Sequence, residues 1–132
     1  MLDVVAVALI ESNGRILLQR RCADRHHGGL WEFPGGKLEP SEAAAAGLLR
    51  EVWEELGVQL QEADLQWLAR AQDPAETIVI TLYTCRTWVG EPRCLDAAEL
   101  CWFEPEELSA LAMPPLDVPL AQALKAAMKS GI

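Results

Sequence analysis

Three glutamates, Glu51, Glu54 and Glu55, are the residues whose type and spacing most directly suggest chemistry. We call them the glutamate cluster. They occupy positions i, i+3 and i+4, so a helix here would place all three carboxylates on one face. Like charges held this close destabilise a helix unless a cation lies between them. Hard cations such as Mg²⁺ bind carboxylate oxygens and are usually completed by water and substrate phosphates. The spacing therefore predicts a magnesium site, with a solvated acidic face as the alternative.

Two features of the surrounding segment favour the metal site over the solvated face. Gly36–Val58 contains five carboxylates but only Lys37 and Arg50 as basic residues, a formal charge of 2 − 5 = −3. No lysine or arginine follows any of the three glutamates at i+4. The predicted helix is also preceded by the Pro-Gly-Gly turn Pro34–Gly36, whose backbone can approach an ion or phosphate because glycine has no Cβ.

The same segment matches a family signature. It reads G-x5-E-x7-R-E-U-x-E-E-x-G-U, where U is apolar, and so resembles the signature of the Nudix hydrolases. The fixed positions are Gly36, Glu42, Arg50, Glu51, Val52, Glu54, Glu55, Gly57 and Val58. The flanking WEFPGGK, residues 31–37, resembles the MutT-type branch, which removes pyrophosphate from nucleoside triphosphates. The likeness covers nearly the whole chain, and this many specified positions make chance a poor explanation.

The resemblance implies roles for the residues of the signature. The glutamate cluster would hold Mg²⁺, for which Mn²⁺ can substitute, and the backbone carbonyl of Gly36 would be a further ligand. Arg50 would orient a neighbouring glutamate, a task that suits a bidentate guanidinium–carboxylate contact. Glu42 has three readings: a charge at the start of the helix, a water-mediated metal contact, or an acid/base group.

A further acidic ligand is expected downstream of the signature. Asp96 lies where MutT-type enzymes carry a glutamate, and its shorter side chain would reach the metal through a water. Glu99 is the alternative, and either residue could equally be a surface loop acid.

Substrate contacts are expected from the residues just before the signature. Arg20, Arg21 and Arg25 form the basic cluster of the chain, which would suit a triphosphate or a base carbonyl, or could be a solvated loop. By resemblance Arg21 contacts the base or sugar. Phe33 and Lys37, within WEFPGGK, are further candidates for substrate binding.

Asp117 has two readings. It precedes a predicted last helix, where aspartate is a good N-cap. The pattern PP-x-[ND]-x-P also resembles the MutT-type segment that places Asn or Asp against the base edge. A carboxylate only accepts hydrogen bonds, so it would pair with N1–H and the 2-amino group of a guanine or with the 4-amino group of a cytosine. Both 8-oxo-guanine and cytosine bases stay open.

The elements that position these residues can be read from periodicity and turn residues. Strands Val4–Ile10 and Arg15–Arg20 should form a hairpin around Ser12-Asn13-Gly14, and Trp31–Phe33 should be a short strand. The signature helix should begin at Ser41 as N-cap and end at Gly57. Further strands are predicted at Leu65–Ala71, Thr77–Val89 and Glu99–Phe103, and further helices at Glu104–Leu111 and Asp117–Ser130. This is an α/β sandwich with two main helices on either side of a mixed sheet, in agreement with the Nudix-type α/β/α fold that the resemblance implies.

The properties of the whole chain limit its setting and partners. Its 132 residues fit one domain spanning 1–132, and its net charge of −9 argues against binding nucleic-acid polymers. No apolar run reaches the ~20 residues that span a bilayer, so no membrane association is expected. Four cysteines without zinc or paired spacing suggest a reducing, cytoplasmic setting. We expect a small-molecule nucleotide as partner and a monomer or homodimer.

Together these observations predict Mg²⁺-dependent hydrolysis of a nucleoside triphosphate to the monophosphate and pyrophosphate. Oxidised dGTP is the first choice of substrate, which would make the protein a sanitiser of the nucleotide pool and so a DNA-repair factor. CTP, dCTP or a modified pyrimidine nucleotide is the alternative. ADP-ribose is a more distant alternative. Pro74 resembles a marker of the subgroup that acts on it, but it is displaced by one residue. A non-catalytic nucleotide-binding module would be marked by loss of a signature glutamate, and all of them are present.

Overall fold

The computed structural model describes residues 1–131. Its strands are β1 Leu2–Leu9, β2 Ile16–Arg20, β3 Trp31–Glu32, β4 Gly35–Lys37, β5 Leu65–Gln72, β6 Ile78–Cys85 and β7 Glu99–Phe103. Its α-helices are α1 Ala44–Leu56 and α2 Asp117–Lys129, and short 3₁₀ helices cover Glu62–Asp64 and Pro105–Ala110. Within these residues no helix has both the length and the apolar character needed to cross a membrane.

Strand β1 is at the centre of the larger sheet. It pairs antiparallel with β4 and parallel with β6, and β6 pairs antiparallel with β5, giving a mixed sheet in the order β4-β1-β6-β5. A second, antiparallel sheet has the order β3-β2-β7. The predicted mixed sheet is therefore confirmed, and a smaller sheet accompanies it.

Alternate residues of β1 belong to two separate apolar cores. Val5, Val7 and Leu9 pack in the core that contains Leu48, Val52 and Leu56 of α1. Ala6 and Ala8 pack in the core that contains Leu120 and Leu124 of α2. Since both faces of β1 are covered, the strand reads as a continuous apolar run and not as an alternating one. The predicted α/β architecture with two main helices is confirmed.

The predicted hairpin of the first two strands is wrong beyond its turn. The backbone N–H of Glu11 donates to the carbonyl of Arg15, and Ile10 forms a single bridge with Ile16. The strands then separate, because both edges of β1 are occupied by β4 and β6. Strand β2 pairs instead with β3 and β7, and this places its polar end beside α1.

Both predicted N-caps are also wrong. The N-cap of α1 is Ala43, without a side-chain bond, and Ser41 lies in a turn with φ +64°. Glu42 therefore precedes the helix and is free to bond elsewhere. The N-cap of α2 is Leu116, while Asp117 is its first residue. The C-terminal cap is as predicted, since Gly57 has φ 68° and donates its N–H to the carbonyl of Trp53.

The remaining elements follow the predictions, although several of their bounds differ. Strand β6 ends at Cys85 and not at Val89, which forms an isolated bridge with Gln59. The predicted helix at Glu104–Leu111 is a 3₁₀ helix over Pro105–Ala110. Strand β7 has the predicted bounds.

Strand β4 approaches β1 closely where the signature begins. A Cβ added to Gly35 would lie 2.0 Å from the carbonyl oxygen of Val5 and 2.6 Å from Cα of Ala6. At neighbouring Gly36 the nearest atoms to an added Cβ belong to the Glu51 side chain, with its carboxyl carbon at 2.4 Å. The first glycine thus permits strand pairing, and the second leaves room for a carboxylate of the glutamate cluster.

We expect Gly35→Ala to lower the free energy of unfolding by about 3 kcal/mol, because a fixed backbone cannot give way to the new methyl group. Urea denaturation should show this loss. Gly36→Ala is the matched control and should cost clearly less, because the Glu51 side chain can rotate away. Equal losses in the two variants would contradict this account of the close approach.

Candidate active site

Arg50 organises the carboxylates of the signature. Its Nε and Nη2 donate to the two oxygens of Glu42, each at 2.9 Å, and its Nη1 donates to Glu51 at 3.0 Å and more weakly to Glu54 at 3.4 Å. Nη2 also donates to the carbonyl of Lys37 at 3.2 Å. The bidentate partner of Arg50 is therefore Glu42, which lies outside the glutamate cluster.

Glu42 is a permanently ionised group. Its hydrogen bonds from Arg50 and from the backbone N–H of Glu39 lower its pKa to about 2. Such a carboxylate cannot exchange a proton near neutral pH. The structure thus favours an anchoring contact for Glu42 over an acid/base role.

Glu55 has the opposite environment. It is buried near the C-terminal end of α1, and this burial raises its pKa to about 8. The nearby carboxylates of Glu51 and Glu32 add to the rise. The Nε2 of Gln19 donates to its Oε1 at 2.6 Å, which partly offsets the rise. Without a cation beside it, Glu55 therefore retains a proton across the neutral range.

An open cleft of about 430 Å³ runs along this face of α1. Most of the predicted site residues line it: Arg21, Gly36, Lys37, Glu51, Glu54, Glu55 and Asp96. Arg50 and Glu42 are outside its wall and reach it only through their contacts with the cluster. The fold thus brings seven predicted residues from four separate segments of the chain to one surface.

The cleft has the donor chemistry of a divalent-cation site without an assembled set of ligands. Carboxylate oxygens of the glutamate cluster line it together with the Gly36 backbone, and these are the donors that Mg²⁺ prefers. Yet no group of three or more His, Cys, Asp or Glu side chains among residues 1–131 converges on one metal position. Arg50 draws Glu51 and Glu54 to one side, while Gln19 holds Glu55. The residues fit the ion chemically, and binding would require the cluster to turn from these partners.

A second, smaller pocket of about 190 Å³ adjoins the cleft. Arg21, Glu32 and residues 35–37 belong to the walls of both. Phe33 and Asp117 line only the smaller pocket, where the buried carboxylate of Asp117 accepts the backbone N–H of Phe33 at 3.2 Å. Burial raises the pKa of Asp117 to about 7. The side chain of Phe33 itself belongs to the core on the α2 side.

The loop residues predicted for the site are held by ion pairs. Arg21 donates to Glu32 at 2.9 Å and to the carbonyl of His26 at 2.7 Å. Arg25 and Asp96 both line the cleft and form an ion pair with a shortest contact of 3.1 Å. In this arrangement Asp96 contacts a cation of the chain and not the glutamate cluster. Glu99, the alternative to Asp96, pairs with Arg20 and does not line the cleft.

Two polar residues of the site are missed by the sequence reasoning. Gln19 and Glu32 are direct partners in the β2–β3 register and both line the cleft. A glutamine that continues the apolar run of β2 is a detectable signal. Pairing between β2 and β3, which brings the two residues together, was not predicted.

The comparisons with known proteins show the family of the chain. Residues 1–125 match the family model of the NUDIX domain. The chain belongs to the Nudix family. It is 37% identical over 128 residues to the CTP pyrophosphohydrolase of Escherichia coli (strain K12), covering 96% of this chain and 93% of that protein. It is 32% identical over 122 residues to the 8-oxo-dGTP diphosphatase of the same organism, covering 92% and 95%.

The fold of this Nudix protein also has a solved counterpart. It aligns with the solution structure of the E. coli ORF135 protein at a TM-score of 0.85 and 33% identity, covering 99% of this chain and 93% of that one. Family membership and these relatives identify the chain as a MutT-like Nudix hydrolase of the pyrophosphohydrolase class.

The raised pKa of Glu55 predicts how stability depends on pH. The folded protein holds a proton that the unfolded chain releases above an ordinary carboxyl pKa of 4.5. When metal ions are removed by a chelator, the stability that this bound proton gives the folded protein should be complete below pH 4.5. It should be lost as the pH rises towards about 8. Glu55→Gln keeps an acceptor for Gln19 but cannot ionise. Relative to wild type, it should therefore gain stability between pH 5 and 8, by about 1 kcal/mol per pH unit at most.

Denaturation curves of both proteins in EDTA at several pH values measure this difference. A stability difference that stays constant from pH 5 to 8 would show that Glu55 is ionised throughout. Glu106→Gln, an exposed change on the 3₁₀ helix Pro105–Ala110, is the control and should give that flat profile.

Proposed function

We propose that this Nudix hydrolase converts a nucleoside triphosphate to the monophosphate and pyrophosphate in the presence of Mg²⁺, with 8-oxo-dGTP as the preferred substrate. The observation that supports it is the joining of two sites, a cleft lined by the glutamate cluster and a pocket lined by Asp117 and Glu32, through shared walls. A nucleotide placed with its base in the pocket would extend its phosphates along the cleft.

The residues of the cleft have distinct tasks in this proposal. Glu51, Glu54 and Glu55 would hold the ion with the Gly36 carbonyl, and Lys37 would contact a phosphate. When bound, Mg²⁺ supplies neutralisation of phosphate charge and a water of lowered pKa. Arg50 keeps Glu42 and Glu51 in place, and Asp96 can approach the ion through a water once it leaves Arg25.

The proposal for the base rests on the acceptors of the pocket. Ionised Asp117 can accept from the adjacent N1–H and 2-amino donors of an oxidised guanine. Arg21 lies against Glu32 in the same wall, so its remaining donors can reach a base carbonyl or the sugar. Removal of oxidised dGTP would make the protein a sanitiser of the nucleotide pool.

A cytosine nucleotide is the second candidate. It is favoured by the similarity to a CTP pyrophosphohydrolase and by the raised pKa of Asp117. A neutral carboxylic acid both donates and accepts, which matches N3 and the 4-amino group of cytosine. The protonation state of one residue thus separates the two candidates.

A product assay with Mg²⁺ over 8-oxo-dGTP, dGTP, CTP, dCTP, 5-hydroxy-CTP and ADP-ribose tests the proposal. We expect pyrophosphate, not orthophosphate, and a clear preference for 8-oxo-dGTP over dGTP. Glu54→Gln should lower kcat by roughly two orders of magnitude while leaving the melting temperature nearly unchanged, because Glu54 is exposed and its value lies in binding the ion. Glu106→Gln is the control. Turnover of Glu54→Gln near that of wild type would remove the metal assignment.

Asp117 predicts a selectivity that depends on pH. Its pKa of about 7 leaves it neutral below that pH and ionised above it. The ratio of kcat/KM for 8-oxo-dGTP to that for CTP should therefore rise between pH 6 and 8. In Asp117→Asn, which donates and accepts at every pH, this rise should disappear. If both proteins show the same dependence of the ratio on pH, Asp117 does not read the base.

A further inference from the structure

A buried glutamine lies between the two halves of the site. Gln19 is 3% exposed and belongs to β2, where it follows Leu17 at alternate spacing. Leu17 packs in the core on the α1 side, and Gln19 carries the same strand face into the cleft. Its side chain is thus the point where the apolar core meets the charged residues.

The side-chain amide of Gln19 joins two carboxylates from different elements. Nε2 donates to Oε1 of Glu55 on α1 at 2.6 Å and to Oε2 of Glu32 on β3 at 3.1 Å. The other oxygen of Glu32 accepts from Nη1 of Arg21 at 2.9 Å. A continuous series of hydrogen bonds therefore runs from Arg21 through Glu32 and Gln19 to Glu55.

The chemistry of the neighbours fixes which way this amide faces. The carboxylate of Glu32 accepts from Arg21 on one oxygen and needs a donor at the other, so the nitrogen of Gln19 must lie towards it and the oxygen away. Oε1 is buried and has no hydrogen-bond partner among the residues that the structure describes. A buried unpaired acceptor is unfavourable, and an apolar side chain of this size would avoid it. The contacts made by Nε2 therefore account for an amide at this position.

We propose that Gln19 is a positioning residue that couples the base pocket, through Glu32, to the metal-facing carboxylate Glu55. The proposal rests on the proposed function, because it assumes that a base and a divalent ion occupy the two sites. Gln19 bridges the carboxylates without adding charge, so a change in the position of either carboxylate is transmitted to the other.

This arrangement predicts reciprocal effects between the two ligands. An ion that draws Glu55 into the cleft alters the hydrogen bond from Gln19 to Glu32. A base that contacts Glu32 alters the hydrogen bond from Gln19 to Glu55. By linkage, each ligand must change the affinity of the other by the same factor. Nucleosides are the informative probes because they have no phosphate that could contact the ion directly.

The test measures binding of 8-oxo-deoxyguanosine and of cytidine by calorimetry or NMR titration, with and without Mg²⁺. We expect Mg²⁺ to change the Kd of the better nucleoside about fivefold or more in the wild type. In Gln19→Met, which keeps the length of the side chain but has no donor, the factor should fall to about one. Thr84→Val, at another buried polar position on β6, is the control and should retain the wild-type factor.

Three results would overturn the proposal: the same factor in Gln19→Met as in wild type, no factor in the wild type, or no nucleoside binding. If Gln19→Met does not fold, the Gln19 side-chain amide resonances of the wild-type protein decide. They should shift on addition of Mg²⁺ alone and of nucleoside alone, and an unchanged signal with either ligand overturns the coupling.

Assay of pyrophosphate release by the wild type separates this inference from the proposed function. Coupling without turnover of any nucleotide would reject the hydrolytic proposal and leave the role of Gln19 standing. Turnover with pyrophosphate release but no coupling would support the hydrolytic proposal and reject the role of Gln19.

Discussion

The repulsion among carboxylates gathered on one helix is the constraint on which the rest of the site depends. The signature segment has a formal charge of −3, and the carboxylates of the glutamate cluster cannot be separated without losing the helical spacing that gathers them. On one side, Arg50 offsets the repulsion by donating hydrogen bonds to Glu42, Glu51 and Glu54. On the other side, the neutral donor Gln19 contacts Glu55. These two residues supply donors to the crowded carboxyl groups and so keep the metal-free cluster compatible with a folded helix.

The contacts from Arg50 and from Gln19 leave the carboxyl groups they reach in opposite protonation states. Glu42 receives a bidentate guanidinium contact and stays ionised, whereas Glu55 receives one neutral donor in a buried position and keeps its proton. The difference arises from the environment, since both are glutamates of one signature. It separates a carboxylate that holds Arg50 in place from one whose charge depends on what occupies the cleft. A cation beside Glu55 would replace its proton, which links the arrival of the ion to a local change of hydrogen bonds.

The spacing of Glu51, Glu54 and Glu55 was sufficient to predict a shared helix face, because helical periodicity is a local property. The continuous apolar run of β1 predicted a strand for a similar local reason, and its two covered faces, with Val5 and Ala6 in separate cores, are seen only in the structure. Pairing of β2 with β3 and β7 was not predictable, because it depends on β4 and β6 having taken both edges of β1. The N-cap prediction for Ser41 failed for a related reason: Glu42 is bound by Arg50, two helical turns away, and the chain before α1 turns to permit it. Local propensity gives way where a long-range polar contact decides the conformation.

The same reasoning explains why the glutamate cluster was predicted while Gln19 and Glu32 were not. The cluster lies in one contiguous segment, but the partnership of the other two residues exists only through strand register. The period of the strand also places Leu17, Gln19 and Arg21 at alternate positions along β2 and just beyond its end. Along this one strand face, Leu17 packs in the core, Gln19 supplies a neutral donor, and Arg21 is a cation in the wall of the cleft. Because Glu32 accepts from both Gln19 and Arg21, the wall that adjoins the base pocket is fixed by the same strand that contacts the helix of the glutamate cluster. The wall shared by the cleft and the smaller pocket is therefore held by hydrogen bonds that continue to Glu55 on α1.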